Sequence, residues 1–131
     1  MKWLLDTNIC VAWLNGSDEV LRRRLQSMQV SELRLCSVVK AELLFGARKS
    51  SRVSENLERL AALFEAVESV SFDDLAAQEY GMLRAQLEKS GTPIGANDLM
   101  IASIALAADF TLATRNVGEF QRVPALKIER W

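Results

Sequence analysis

The sequence contains no histidine among its 131 residues. That removes imidazole acid–base catalysis, Ser-His-Asp and Cys-His nucleophilic systems, and nearly all zinc enzymes. Any chemistry must rest on carboxylates with oxygen-preferring cations, or on Lys, Arg, Ser, Thr or Tyr. Cysteine is scarce too: Cys10 and Cys36 stand far apart, in no metal-ligand spacing, and read as small buried thiols of a reducing compartment. No apolar run is long enough to span a bilayer. Asp6 interrupts the first apolar stretch too early for a secretory signal, so a soluble cytoplasmic protein without a membrane partner is the expectation. Charge of one sign is not in excess either. Sixteen basic and seventeen acidic residues leave a formal net charge of −1, which argues against nonspecific coating of nucleic acid while allowing a local basic patch. Low-complexity tracts and internal repeats are missing, and a half-hydrophobic chain of this length suits one domain, residues 1–131, around one core.

What is present is an alternation of strand and helix signals. Trp3 to Leu5 reads as a short buried strand, and Asn8 to Trp13 as a helix closing at Asn15-Gly16. With Ser17 as N-cap, Leu21, Leu25 and Met28 predict an amphipathic helix that leaves Arg22, Arg23 and Arg24 on its solvated face. Leu33 to Cys36 is a second strand, and Ser37 is placed to cap a helix from Val38 to Lys49. A helix from Ser54 to Ala66, a strand from Val67 to Phe72 and a helix capped by Asp73 follow; the last carries the stripe Ala76, Tyr80, Leu83, Leu87. After the break at Ser90-Gly91-Thr92-Pro93, an alanine-rich helix starts near Asn97. Phe110 to Thr114 and Leu126 to Glu129 complete the strands, the last at an edge. This alternation predicts an α/β fold, a parallel sheet with helices on both faces.

In open parallel sheets, ligands bind beyond the carboxyl ends of the strands. Asp6 lies at such an end in "WLLDTN", where Asp-Thr-Asn suits a helix cap or turn as well as a site. Glu42 sits inside the apolar helix "VVKAELLFGA". Asp98, in "GANDLMIASIA", occupies a first helical turn, where the helix dipole favours an acid. Each position has an ordinary structural explanation, but a doubly wound sheet would bring all three to one edge. Three converging carboxylates repel unless cations neutralise them. Oxygen-only ligation suits Mg2+ or Mn2+, which also bind phosphates, and points to metal-assisted hydrolysis of a phosphodiester.

The ordered motifs "LLDTN", "VVKAELLFGA", "TPIGANDLMIASIA" and "LATRNVGEF" resemble the PIN-domain ribonucleases, specifically the VapC toxins of bacterial toxin–antitoxin pairs. The resemblance covers essentially the whole chain, through the closing "VPALKIERW". It implies a three-layer α/β/α sandwich with a mainly parallel central sheet, a homodimer, dependence on Mg2+ or Mn2+, and cleavage of single-stranded RNA. It also implies restraint by a VapB antitoxin, with room for larger complexes, in which a basic side chain commonly meets the acids. Carried over by position, the family's acids fall on Asp6, Glu42 and Asp98, with Asp6 and Asp98 as metal ligands. The family's fourth acid is replaced here by Asn116, which can accept a hydrogen bond but adds no charge; Glu119, three residues on, is the candidate substitute. That departure puts a second permanently bound ion in question and leads one to expect one tightly held ion, or a second that arrives with substrate. Asn8 and Thr114 match polar residues that orient the acids or hold water, and Arg115 is a candidate RNA contact. The segment "GTPIGAND" resembles enterobacterial members that cut initiator tRNA in the anticodon loop, where unpaired bases are accessible.

Rival readings are weaker in the residues. Phosphotransfer enzymes of the haloacid-dehalogenase kind want a second aspartate where this chain has Asn8, and no G-x-G-x-x-G follows the first strand for a dinucleotide. A silent binding module on the same fold draws its support from Asn116 alone. Val38, Val39, Leu43, Leu44 and Phe45 give one helix more apolar surface than a small core needs, so part of it is expected to face a second subunit or an antitoxin helix. Trp3, Trp13 and Trp131 are expected in packing rather than base stacking.

Overall fold

Leu4 and Leu5 are both fully buried although they point to opposite faces of their strand, so the sheet is covered on both sides. Their strand, β1 (Trp3–Leu5), is the centre of a five-stranded sheet in a computed structural model that describes all residues, Met1–Trp131. Around it stand β2 (Leu33–Cys36), β3 (Ser69–Val70), β4 (Thr111–Thr114) and β5 (Ile128–Arg130), in the order β3-β2-β1-β4-β5 with every pairing parallel. Trp3 is in register with Leu33 on one side and Thr111 on the other, which brings the ends of β1, β2 and β4 to one edge of the sheet.

The helices are α1 (Thr7–Asn15), α2 (Glu19–Gln26), α3 (Ser37–Lys49), α4 (Val53–Ala66), α5 (Asp74–Lys89), α6 (Ala96–Ala108) and α7 (Val117–Phe120). The architecture is the expected α/β/α sandwich. No helix is long and apolar enough to cross a membrane. The core joins Leu4, Leu5, Ile9, Leu35, Val39, Leu99, Ile101, Leu112 and Phe120, all at most 2 % exposed. Cys10 and Cys36 are free and fully buried within it.

Several boundaries differ from the sequence reading, each for a local reason. Helix α1 starts at Thr7 because Asp6 accepts a hydrogen bond from the Thr7 N–H and acts as its N-cap. Asp18, not Ser17, caps α2 by accepting from the Leu21 N–H. Ser37 is the first residue of α3, and its hydroxyl oxygen accepts from the Phe72 N–H instead of capping. The strand read over Val67 to Phe72 narrows to Ser69–Val70, and the last strand begins only at Ile128. The 3-10 turn Val30–Glu32 and helix α7 were too short to give a periodic signal. Gly91, at φ 72, ends the turn after α5 in a conformation that side-chain-bearing residues avoid.

Trp3 and Trp131 pack with ring centroids 5.9 Å apart, and Trp3 donates its Nε1–H to Glu129 at 2.9 Å. In α3, Val39 and Leu43 are buried, whereas Leu44 and Phe45 are 40% and 64% exposed.

Candidate active site

Asp6 stands where β1 passes into α1, and its backbone N–H donates to the Ala113 carbonyl, which ties the turn to β4. Both carboxylate oxygens are held. Oδ1 accepts from the Thr7 N–H at 2.7 Å and Oδ2 from the Thr114 hydroxyl at 2.7 Å. Asp6 is only 4% exposed, and burial raises its pKa; the two hydrogen bonds lower it, while Glu42 and Glu119 push it up again.

Glu42 lies on the second turn of α3, half-buried, and its Oε1 accepts from the Thr7 hydroxyl at 2.7 Å. Asp98 lies in the first turn of α6. Its pKa is pushed up to about 7, first by burial, then by its hydrogen bond to Glu119 and by the charges of Glu119, Asp6 and Glu42. Glu119, on α7, moves the other way. The Gly95 N–H donates to its Oε1 at 2.9 Å, the Asn116 amide donates to Oε2 at 2.7 Å, and these donors with Asp98 hold its carboxyl below its usual range. The two acids therefore titrate as an interacting pair, with Asp98 the weaker acid.

The fold therefore brings Asp6, Glu42, Asp98 and Glu119 within mutual electrostatic reach. None of the four forms an ion pair with a lysine or arginine. Oxygen donors in electrostatic excess fit a hard divalent cation. No three of the acids are gathered tightly enough to enclose an ion unaided, so an ion held here would complete its shell with water or substrate oxygens.

The supporting residues fall in different places. Thr114 is fully buried, donates to Asp6, and accepts from the Asn116 N–H at 3.0 Å. Asn116 braces Glu119 through its side-chain amide. Asn8 is exposed on the first turn of α1 and makes no hydrogen bond to any acid. Arg115 is committed elsewhere: it pairs with Asp18, and its Nε–H donates to the Trp131 carbonyl at 3.0 Å. Thr7 is the residue the sequence reading passed over. Its signal was in plain view, a hydroxyl between Asp6 and Asn8, but the partner Glu42 is 35 residues away.

A PIN domain family model matches residues 3–126. The chain is 38% identical to Ribonuclease VapC2 of Rickettsia felis over 132 aligned positions, covering 100% of this chain and 98% of that protein. It is 34% identical to the tRNA(fMet)-specific endonuclease VapC of Salmonella typhimurium, with 100% and 98% covered. The crystal structure of DNA-bound VapBC from Salmonella typhimurium contains a chain that superimposes with a TM-score of 0.94 at 34% identity, covering 100% of this chain and 98% of that one.

Proposed function

The chain belongs to the PIN-domain family, among its VapC ribonucleases, and from that premise we propose that it is a divalent-metal-dependent endoribonuclease, the toxin of a toxin–antitoxin pair. The observation that carries this reading is the convergence of Asp6, Glu42, Asp98 and Glu119 with no cationic side chain paired to any of them. The substrate is single-stranded RNA, and the name of the Salmonella relative supports a tRNA, the initiator. The unpaired bases of an anticodon loop are the accessible part of such an RNA and the expected place of cleavage. The partner is a VapB-type antitoxin, supported by the VapBC assembly of the structural relative. Exposed Phe45 and Met82, 64% and 63%, support further contact with a second copy of the chain. An RNA substrate of this kind supports a cytoplasmic location.

Asp6 and Asp98 would ligate Mg2+ or Mn2+, with Glu42 completing the acidic face. When bound, such an ion activates water and offsets the charge that grows on the phosphoryl and leaving oxygens. The chain's own part is preorganisation. The Thr7 N–H and the Thr114 hydroxyl each hold one oxygen of Asp6, which fixes the orientation of its carboxylate. The Thr7 hydroxyl fixes Glu42 in the same frame. Glu119, beside Asp98, accepts from the Gly95 N–H, a bond that steadies the loop leading into α6. Water then forms the new bond to phosphorus as the bond to the leaving ribose oxygen breaks. The phosphotransfer alternative needs an acid at position 8, where exposed Asn8 touches none of the others.

Incubating the purified protein with total cellular RNA and Mn2+, beside a chelator control, and sequencing the new 5′ ends tests this reading. Metal-dependent cuts in the anticodon loop of one tRNA are expected. Cuts scattered through messenger RNA, or cuts that persist in chelator, would sink it.

A further inference from the structure

A pocket of about 280 Å3 opens beside the acids, lined by residues of α1, α3 and α4. We propose that it seats one nucleotide of the single-stranded RNA substrate, next to the cleaved phosphodiester, with the base on the apolar wall and its phosphate on Arg59. This rests on the nuclease reading above and names the part of the substrate that the acids do not reach.

The pocket is continuous with the acidic site, since Thr7 and Glu42 line it as well. A chain bound across the acids therefore runs into it within one nucleotide. Its charge is also suited. The acids repel a polyanion, so the RNA backbone needs a cation close by, and Arg59 is the one cationic side chain in the lining. Arg59 takes part in none of the ion pairs of the chain, and Glu55, one turn earlier on α4, is engaged by Arg52 at 3.5 Å. Arg115, by contrast, is bound to Asp18 and to the Trp131 carbonyl.

The walls suit a base. Val11, Leu43 and Leu60 supply an apolar surface. Asn56 donates its amide hydrogen to the Ser50 hydroxyl at 2.9 Å, which orients the group and leaves its carbonyl oxygen to accept from an exocyclic amine. A guanidinium serves either a phosphate or a base plane. The volume lies at the lower end of small-ligand sites, roughly 300 Å3, which fits one nucleotide unit rather than a longer segment. Room exists because Gly46 presents no side chain: a Cβ built there meets no atom within 4 Å.

Gly46→Leu therefore fills the pocket from a regular helix position without a backbone clash, and Arg59→Ala removes the cation. Both are compared with wild type on initiator tRNA, the RNA of the reading above, and on bis(p-nitrophenyl) phosphate, a diester without a base. The ratio of kcat/KM on RNA to kcat/KM on the small diester is expected to fall about tenfold in each variant, mainly through KM. Arg59→Ala keeps the test alive if Gly46→Leu fails to fold. A ratio within about twofold of wild type overturns the proposal. So does cleavage that stays intact while the variants escape inhibition by the antitoxin, which gives the pocket to the protein partner. Wild type cleaving neither substrate refutes the nuclease reading itself, an outcome distinct from both.

Discussion

The hydroxyl of Thr7 donates to Glu42 Oε1 at 2.7 Å while the N–H of the same residue donates to Asp6 Oδ1 at 2.7 Å. One residue at the start of α1, through its N–H and its hydroxyl, therefore links an acid at the end of β1 to an acid on α3. Thr7→Val keeps the shape and leaves Glu42 without its donor. A hydrogen bond to a charged acceptor contributes about 1.5–3 kcal/mol, so kcat is expected to fall roughly ten- to a hundredfold, with a smaller change in KM. Thr7→Ser should restore most of it. Mn2+ affinity measured by calorimetry should weaken in Thr7→Val and recover in Thr7→Ser, a pattern that a general loss of stability would not produce.

Asp6 is both an N-cap and a candidate ligand, and the two roles can be separated. Asparagine caps helices about as well as aspartate. Asp6→Asn should therefore leave the circular dichroism spectrum and Tm close to wild type while kcat falls by about a thousandfold or more. Expression without an antitoxin should arrest growth in wild type and not in the variant. Continued arrest by Asp6→Asn would remove the residue from the catalytic centre.

These two residues also show what the sequence could and could not convey. The position of Asp6 at a strand end was legible because a short apolar run and a parallel topology are local and periodic signals. Glu42 and Asp98 were legible as acids in otherwise apolar helices. The role of Thr7 was not, since its partner is brought near only by the crossover from β1 through β2 into α3. The partners of Arg115 were hidden in the same way: a lone arginine after a strand gives no hint of Asp18, 97 residues earlier, or of the Trp131 carbonyl. Helix α7, at four residues, carries no readable period, and it is the element that delivers Glu119.

The raised pKa of Asp98, about 7, makes metal affinity depend on pH. Metal binding requires the carboxylate, so below that value a proton must leave first. Mn2+ affinity is expected to rise about tenfold per unit up to about pH 7 and to level off above it. Calorimetric titrations across that range check this, and an affinity flat with pH would contradict the raised pKa of Asp98.

The same group acts on stability in the opposite sense. A carboxyl whose folded pKa is raised favours folding below its unfolded value, here 3.8, and that contribution disappears as the pH climbs toward about 7. At neutral pH without metal, Asp98 is thus a repulsive element. Asp98→Asn should abolish cleavage yet raise the metal-free Tm by a few degrees, about 1 kcal/mol after allowing for partial exposure. Differential scanning calorimetry in chelator at pH 7.5 measures it, and a lowered Tm would show that Asp98 stabilises the empty site.

Asn116 offers the last separation. Its amide donates to Glu119 at 2.7 Å, so it braces an acid where the family's fourth acid is expected. Wild type should accordingly bind a single tight Mn2+, its negative charge there coming from Asp6, Glu42, Asp98 and Glu119. Asn116→Asp deletes the donor and sets a further carboxylate against Glu119, which costs stability unless a second cation arrives. Calorimetry should then show a second binding event absent from wild type, and the metal-free Tm should drop by several degrees and recover with Mn2+. Two tight sites of similar affinity in wild type would mean that Glu119 alone already serves as the fourth acid.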